Sequence, residues 1–338
     1  MKKLSNVLAL LALICGAGAT LISSCSNGSD NNAALALLLA GSSNNSSGLV
    51  YVPAKSFDGT AITVPESRVF TADRRFSLPA IYASDHEVTQ KEYATYCKYG
   101  AAPPDSISGV GDNFPAYRVS WCDAIIYCNL RSMAEGLAPC YKMKISGEYK
   151  NFPDEWSGVM KEGEGADAKY CGPENFADSS IMAPWNALEF DESANGWRLP
   201  TEAEWEMLAG GGNLTNSGQT TYSGSDTIGD VAWYNDNSGD NGTSTNSMSH
   251  EVKGKAANAL GLYDMSGNAR EWCWDFQNTI PQDAPWTGPA TAADGTSRVT
   301  RGGNWGNSAN LCTVTHLNQG APRLRYFGLG FRVVRNAQ

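Results

Sequence analysis

Residues 298–338 close the chain with a fixed frame and no secondary-structure period. The frame reads Arg298-Val299, Arg301-Gly302-Gly303-Asn304-Trp305, Cys312, Pro322 and Gly330-Phe331-Arg332-Val333-Val334-Arg335. Between those points stand Leu311, His316, Leu317, Leu324, Tyr326 and Phe327, spaced at neither two nor 3.6 residues. A packed helix or strand would impose one of those periods, and a solvated loop would not carry so many large apolar side chains. Any fold of this chain must therefore hold a long irregular terminal segment in a defined shape, pinned by glycine and tryptophan. Such a segment reads as a recognition surface.

The rest of the composition agrees with a loop-rich fold. Among 338 residues there are 35 glycines and 10 tryptophans, which predicts turns built on glycine and elements held together by indoles. A domain of roughly 290 residues buries about three quarters of its unfolded surface, so a substantial core is available. The formal charge of −10 excludes a polyphosphate partner, which needs a basic field, so nucleic acid is not expected as a ligand.

The first 24 residues carry Lys2 and Lys3, an apolar stretch, and Ile22-Ser23-Ser24 before Cys25. A basic start, a greasy middle and small residues at the end make a secretory signal, and the ending resembles a bacterial lipobox with Cys25 as the acylated mature terminus. Residues 25–48 are mostly Ser, Asn and Gly, a flexible tether interrupted by an apolar octet at 33–40. The expectation is an exported lipoprotein at the outer membrane or cell surface of a bacterium, touching the membrane only through its anchor. The domain then spans 49–338. Seven cysteines remain in it: Cys97, Cys122, Cys128, Cys140, Cys171, Cys273 and Cys312. No C-x-x-C pair occurs, so no zinc pattern is present.

Short strands are expected at 50–52, 61–64, 70–76 and 81–88. Thr89 with Glu92 is a capping box for a helix over 91–99 closed by Gly100. Ser120 with Asp123 opens a second helix through Ala134, with Trp121, Ala124, Ile125 and Cys128 on one stripe. Thr201 with Glu204 starts a third, stopped by Gly210-Gly211-Gly212. Residues 138–196 read as irregular, and the chain beyond 213 as short strands and loops. The fold class is α+β, with few helices, short strands and a large irregular fraction.

Three segments in series carry a family resemblance. They are Gly196-Trp197-Arg198-Leu199-Pro200-Thr201-Glu202-Ala203-Glu204-Trp205-Glu206, then Asn258-Ala259-Leu260-Gly261-Leu262-Tyr263-Asp264-Met265-Ser266-Gly267-Asn268-Ala269-Arg270-Glu271-Trp272, then Arg301-Gly302-Gly303 through Gly330-Phe331-Arg332. Together with Glu87-Val88-Thr89 and Val119-Ser120-Trp121 they resemble the formylglycine-generating enzyme, or sulfatase-modifying factor, type of C-type-lectin-like domain. Arg198 is available to hold a buried carboxylate and Trp305 to plug the core.

The family's oxidases bind copper(I) through two cysteines five positions apart. Here the second position is Cys312 and the first is Asn307, an amide that cannot replace a thiolate for a soft metal. No catalytic residues are therefore assigned and no cofactor is required; the alternative is a divergent oxidase of the same family. Cys312 reads as a core thiol or as half of a disulfide with Cys273. The resemblance also implies a calcium-binding turn made by Asp264, Gly267, Ala269 and Glu271, since calcium takes hard oxygen ligands and a glycine turn lets carbonyls point inward. The alternative for these residues is a turn cap at Asp264 and an ion pair at Glu271.

Relatives often fill the loop after Gly-Gly-x-Trp with asparagine. The matching places here hold Gly306, Asn307, Ser308, Asn310, Leu311, His316, Leu317, Gly320, Arg323, Leu324, Tyr326, Phe327 and Gly328. Each of these residue types is reached from an asparagine codon by changing adenines alone, whereas Trp, Met, Glu, Lys and Gln are not. Gln319 is the nearby exception. The pattern resembles the variable proteins of diversity-generating retroelements, in which the C-terminal end of a lectin-fold domain is rewritten. The resemblance implies a binding surface over 298–335 for a protein, peptide or glycan ligand.

Overall fold

In the computed structural model the described residues are 48–58, 66–70, 75–100, 102–175, 177–212, 219–277 and 297–337. The leader, Cys25, the tether with its apolar octet, and the strand expected at 61–64 lie outside them. Four strands start the domain: β1 (Leu49–Val52) pairs antiparallel with β2 (Ile81–Ser84), Val52 facing Ile81, and between them in the chain Lys55–Asp58 pairs antiparallel with Arg75–Leu78. Helix α1 (Gln90–Tyr96) follows the Thr89–Glu92 capping box and α2 (Trp121–Ala134) the Ser120–Asp123 box, both reciprocal as the sequence implies. α1 stops at Cys97, short of Gly100, because the extended backbone of Cys97 bridges Tyr170 instead of continuing the helix. α2 runs through the core, and its expected stripe of Trp121, Ala124, Ile125 and Cys128 is wholly buried.

The segment expected to be irregular, 138–196, holds more structure than its sequence shows. It forms two hairpins, Tyr141–Ile145 with Glu148–Lys150 and Met160–Glu162 with Lys169–Cys171, and α3 (Ser179–Asn186), which starts at Asp178 and tolerates Pro184 inside it. Strands of three to five residues are too short to display a period. β3 (Trp197–Arg198) leads into α4 (Glu202–Ala209), opened by the Thr201–Glu204 box. A further single turn of helix, Ile228–Val231, also goes beyond the sequence reading.

The C-terminal third builds a second sheet from β4 (Arg270–Phe276), β5 (Arg298–Arg301), β6 (Asn318–Gly320) and β7 (Leu329–Gly330), in the order β6-β5-β4-β7. β4 and β7 are parallel, Arg270 opposite Leu329; the other pairs are antiparallel. β8 (Val334–Asn336) then returns to the first sheet and lies between β2 and β3. Start and finish of the domain thus share one sheet, which fixes both ends of the tail. The result is an α+β fold with five helices among the described residues.

α4 is buried on every side, including Glu202, Glu204 and Glu206. A buried carboxylate needs a partner, and arginines supply it. Arg198 holds Glu204 through Nη1 at 2.7 Å and Nη2 at 2.6 Å, the role its sequence position implied. Arg301 Nη2 reaches Glu202 at 2.7 Å and Glu206 at 2.6 Å. The seven cysteines of the domain are all buried free thiols, so the Cys273–Cys312 disulfide is not formed. Trp305 and Phe331 are buried, as the frame required.

Candidate functional site: the C-terminal surface

The tail leaves β5 through two glycines whose backbone no other residue would adopt easily, Gly302 at φ 91° and Gly303 at φ 69°. A Cβ on Gly303 would lie 2.6 Å from Cys312 Sγ, so the pair also permits a close approach. Fixed side chains then tie the loop down by its backbone. Arg301 Nη1 donates to Thr315 O at 2.9 Å. Asn304 Nδ2 donates to Gly328 O at 3.2 Å, and its Oδ1 accepts from Gly306 N at 3.0 Å. Trp305 packs against Tyr117 and Phe327, with ring centroids at 5.3 and 5.9 Å.

The second half of the tail is bolted to α2. Arg118 N donates to Tyr326 O at 3.1 Å and Trp121 N to Pro322 O at 3.0 Å. Arg325 turns inward to Asp123, while its neighbours turn outward: Leu324 is 39% exposed, Tyr326 38% and Phe327 40%. Gly306, Ser308, Asn310 and Arg323 are exposed as well. Asn307, Leu311, His316 and Leu317 are half-buried, Leu317 resting on the core. None of the six large side chains singled out in the sequence is in the core.

Two glycines assigned to the surface do not belong to it. Gly320 is buried in β6, where an added Cβ would lie 2.8 Å from the Trp272 ring. Gly328 is buried against the Asn304 side chain, which a Cβ would strike. Codon type allowed them; space does not.

Arg270, at the start of β4, joins three separate stretches of this tail. Its Nη2 donates to Asn307 Oδ1 at 3.0 Å, and it lies close enough to Tyr326, Cys312 and His316 for their charges to interact. The two positions where oxidases of this family carry their cysteine pair therefore hold an amide and a thiol flanking a guanidinium. Burial pushes the Cys312 thiol up to about 12, far from the thiolate that copper(I) prefers.

The other expected site lies deeper. Asp264 and Glu271 share a buried cluster with Glu87 and Arg332. Glu271 accepts from Arg332 Nε at 2.9 and 2.7 Å and from Trp205 Nε1 at 2.6 Å, so it makes an ion pair. Asp264 Oδ2 accepts from Lys253 N at 2.7 Å, while Oδ1 is buried without a partner among the described residues. Glu87 accepts from Ala269 N and Asn268 Nδ2, each at 2.7 Å. Desolvation, and then the charges of Asp264 and Glu271, push Glu87 well above the usual carboxylate range. Burial pushes Asp264 up to about 6. Gly267 turns at φ 78° with its amide on Gly302 O at 2.8 Å, linking this cluster to the base of the tail. Sequence reasoning missed Glu87 and Arg332 as members, although both stand in motifs it quoted. Among the described residues no group of three or more His, Cys, Asp or Glu is arranged to hold a metal ion.

Fold and frame together define a sulfatase-modifying domain of lectin-like architecture. Residues 37–337 match the sulfatase-modifying factor enzyme 1-like domain, and the chain belongs to that family. It is similar to the Treponema denticola variable protein 1, with 28% identity and a TM-score of 0.64, covering 86% of this chain and 95% of that one. The chaperone protein LppX of Paenibacillus barcinonensis is 32% identical over 256 residues, 72% of this chain and 76% of that protein. The formylglycine-generating enzyme of Thermomonospora curvata is 33% identical over 161 residues, 41% of this chain and 46% of the enzyme.

Proposed function

We propose that this chain is a ligand-binding protein rather than an oxidase, and that its C-terminal surface is the binding site. The observation that carries the reading is the division of labour in the tail. Backbone and inward groups are held by fixed residues (Arg301, Asn304, Arg325 and Asp123), while Leu324, Tyr326 and Phe327 face solvent side by side. A surface that changes its ligand needs a scaffold whose stability does not depend on the changing side chains. Aromatic contact residues with few rotatable bonds add area at low entropic cost, as in antibody loops. The likeness to a treponemal variable protein supports the same reading. Export, acylation at Cys25 and display on a bacterial surface complete the proposal, with retroelement rewriting as the source of diversity. Structural calcium at Asp264 and Glu271 is a further part of it.

The decisive observation is genetic. An imperfect repeat of the gene's 3′ end beside a reverse transcriptase, differing only at adenines, is expected in the neighbouring DNA. Palmitate labelling that vanishes in Cys25→Ala tests the anchor. A peptide array probed with the unlipidated chain tests binding: ligands lost on Tyr326→Ala and Phe327→Ala support the surface, and ligands indifferent to both overturn it.

A further inference from the structure

Most of the well-buried arginines of this domain face a carboxylate. Arg301 faces Glu202 and Glu206, Arg332 faces Glu271, Arg198 faces Glu204 and Arg325 faces Asp123. Arg298 has no ion-pair partner among the described residues but is sealed in the core between rings, 3.7 Å from the Trp121 centroid and 3.3 Å from that of Phe276. Arg270 differs from all of these. It is half-buried, and its one side-chain acceptor among the described residues is the neutral Asn307 Oδ1 at 3.0 Å. Its Nε is buried without an acceptor among the described residues, as are those of Arg198, Arg298 and Arg301, but unlike Arg198 and Arg301 it has no carboxylate on its Nη atoms there either. Removing a guanidinium from water without an anion is costly, so an unpaired one at a surface is a group waiting for a partner. Burial drags its pKa down, and among the described residues no carboxylate is near enough to restore it.

We infer that Arg270 is a fixed anion anchor in the floor of the C-terminal surface, and that it receives the carboxylate of an aspartate or glutamate side chain on a protein ligand. The inference rests on the binding-surface reading above. It adds one constant chemical demand to a site whose other contacts vary. A single planar fork matches a carboxylate in two parallel hydrogen bonds. A phosphate dianion calls for further cations, and the neighbouring Arg301 is already committed to two glutamates. Tyr326 lies close enough to the guanidinium for their charges to interact, and its ring packs against that of Phe327 with centroids 4.0 Å apart, so the pair would offer an apolar face to the flank of such a side chain. Arg270 belongs to the β4 frame, with its amide on Gly328 O at 2.9 Å, so its backbone is placed independently of the residues that change, and Asn307 alone among those residues holds its guanidinium.

The test uses the full chain carrying Cys25→Ser and reads the Arg270 Nε–Hε resonance during titration. That resonance is identified by its loss in Arg270→Lys and by its displacement in Asn307→Ala, which removes the Nη2 acceptor. The probes are N-acetylaspartate methylamide, N-acetylasparagine methylamide and glucuronate. A saturable shift is expected with the aspartate probe and at least a tenfold weaker response with the asparagine probe. No saturable shift, or equal shifts with both amino-acid probes, overturns the anion anchor. A stronger response to glucuronate than to the aspartate probe overturns the protein ligand in favour of an acidic glycan. Because this titration reads one guanidinium, its failure beside an array ligand that is lost on Tyr326→Ala would leave the binding surface standing and remove only the anchor.

Discussion

Arg325 grips Asp123 with two hydrogen bonds, Nε to Oδ2 at 2.8 Å and Nη2 to Oδ1 at 2.9 Å. The same carboxylate caps α2 by accepting from Ser120 N at 2.8 Å, and it takes Gly172 N at 2.6 Å. One inward residue therefore fastens the most exposed stretch of the tail to the most buried helix. Removing one partner of a buried ion pair costs about 3–5 kcal/mol, because the other charge is left unpaired. Arg325 keeps some exposure, so Arg325→Ala is expected to cost about 2–3 kcal/mol. Leu324→Ala and Tyr326→Ala should each cost about half a kcal/mol or less. Urea midpoints decide: comparable losses at all three positions would show that the outward side chains hold the tail themselves.

Copper chemistry is expected to be absent. Asn307 offers no thiolate, Cys312 keeps its proton, and the Arg270 guanidinium donates to the Asn307 amide. Anaerobic titration of the full chain with copper(I) should show no tight one-to-one complex, and a sulfatase peptide should remain unoxidised. Stoichiometric binding accompanied by peptide oxidation would restore the divergent-oxidase reading.

The Glu87–Asp264 cluster makes stability depend on pH in a direction that calcium would reverse. Burial raises both folded-state pKa values, Asp264 to about 6. A carboxyl whose folded pKa is raised contributes stability that is present below its unfolded pKa and is lost as pH rises through the folded value. Without a metal the Asp264 contribution should therefore be lost between about pH 4 and pH 6, and Glu87 adds a loss in the same direction. A calcium ion on the unpartnered Asp264 Oδ1 would offset that loss by favouring the ionised form. The melting temperature should rise with calcium at pH 7 and be indifferent to it at pH 5. A calcium response that is the same at both values, or missing at both, leaves Asp264 with its backbone-capping role alone.

His86 shifts stability with pH in the same direction. Burial disfavours its charge, but its hydrogen bonds to the Asp85 and Glu92 carboxylates outweigh burial and hold its pKa above the ordinary histidine value. Its contribution is full at low pH and lost as pH rises through the folded pKa. His86→Gln should accordingly narrow the stability gap between pH 5 and pH 8. An unchanged gap would show that the imidazole carries no charge in the fold.

What was legible in the sequence was whatever is decided locally. Thr89 with Glu92, Ser120 with Asp123 and Thr201 with Glu204 are contacts across three residues, and all three formed. Arg198 was expected to hold a buried carboxylate, and the structure supplies the partner, Glu204 six residues on. The hairpins of 138–196 were invisible, because strands this short take their shape from neighbours rather than from their own pattern. The carboxylate cluster draws Glu87, Asp264, Glu271 and Arg332 from distant parts of the chain. Arg270 is the extreme case: its lack of an acid partner becomes visible only when the acids around it have been placed.

On the proposed reading, the buried glycines would set a limit on what rewriting can do. Gly320 and Gly328 match the codon pattern of the surface positions, yet each sits where a side chain would meet a fixed neighbour, Trp272 for one and Asn304 for the other. Forcing extra atoms into a packed site costs about 1–3 kcal/mol, and at Gly328 it would also push away the Asn304 amide that ties down the loop. Truncating the packed Trp305 to alanine should cost about 3–5 kcal/mol, whereas Phe327→Ala, at an exposed position, should cost far less. Natural copies of this gene that differ in the tail should therefore change freely at Leu324, Tyr326 and Phe327, keep Trp305, and retain glycine at 320 and 328. Sequencing the 3′ end from many isolates reads this directly. Large residues recurring at 328 in folded, expressed copies would mean that the Asn304 contact is not what shapes the surface.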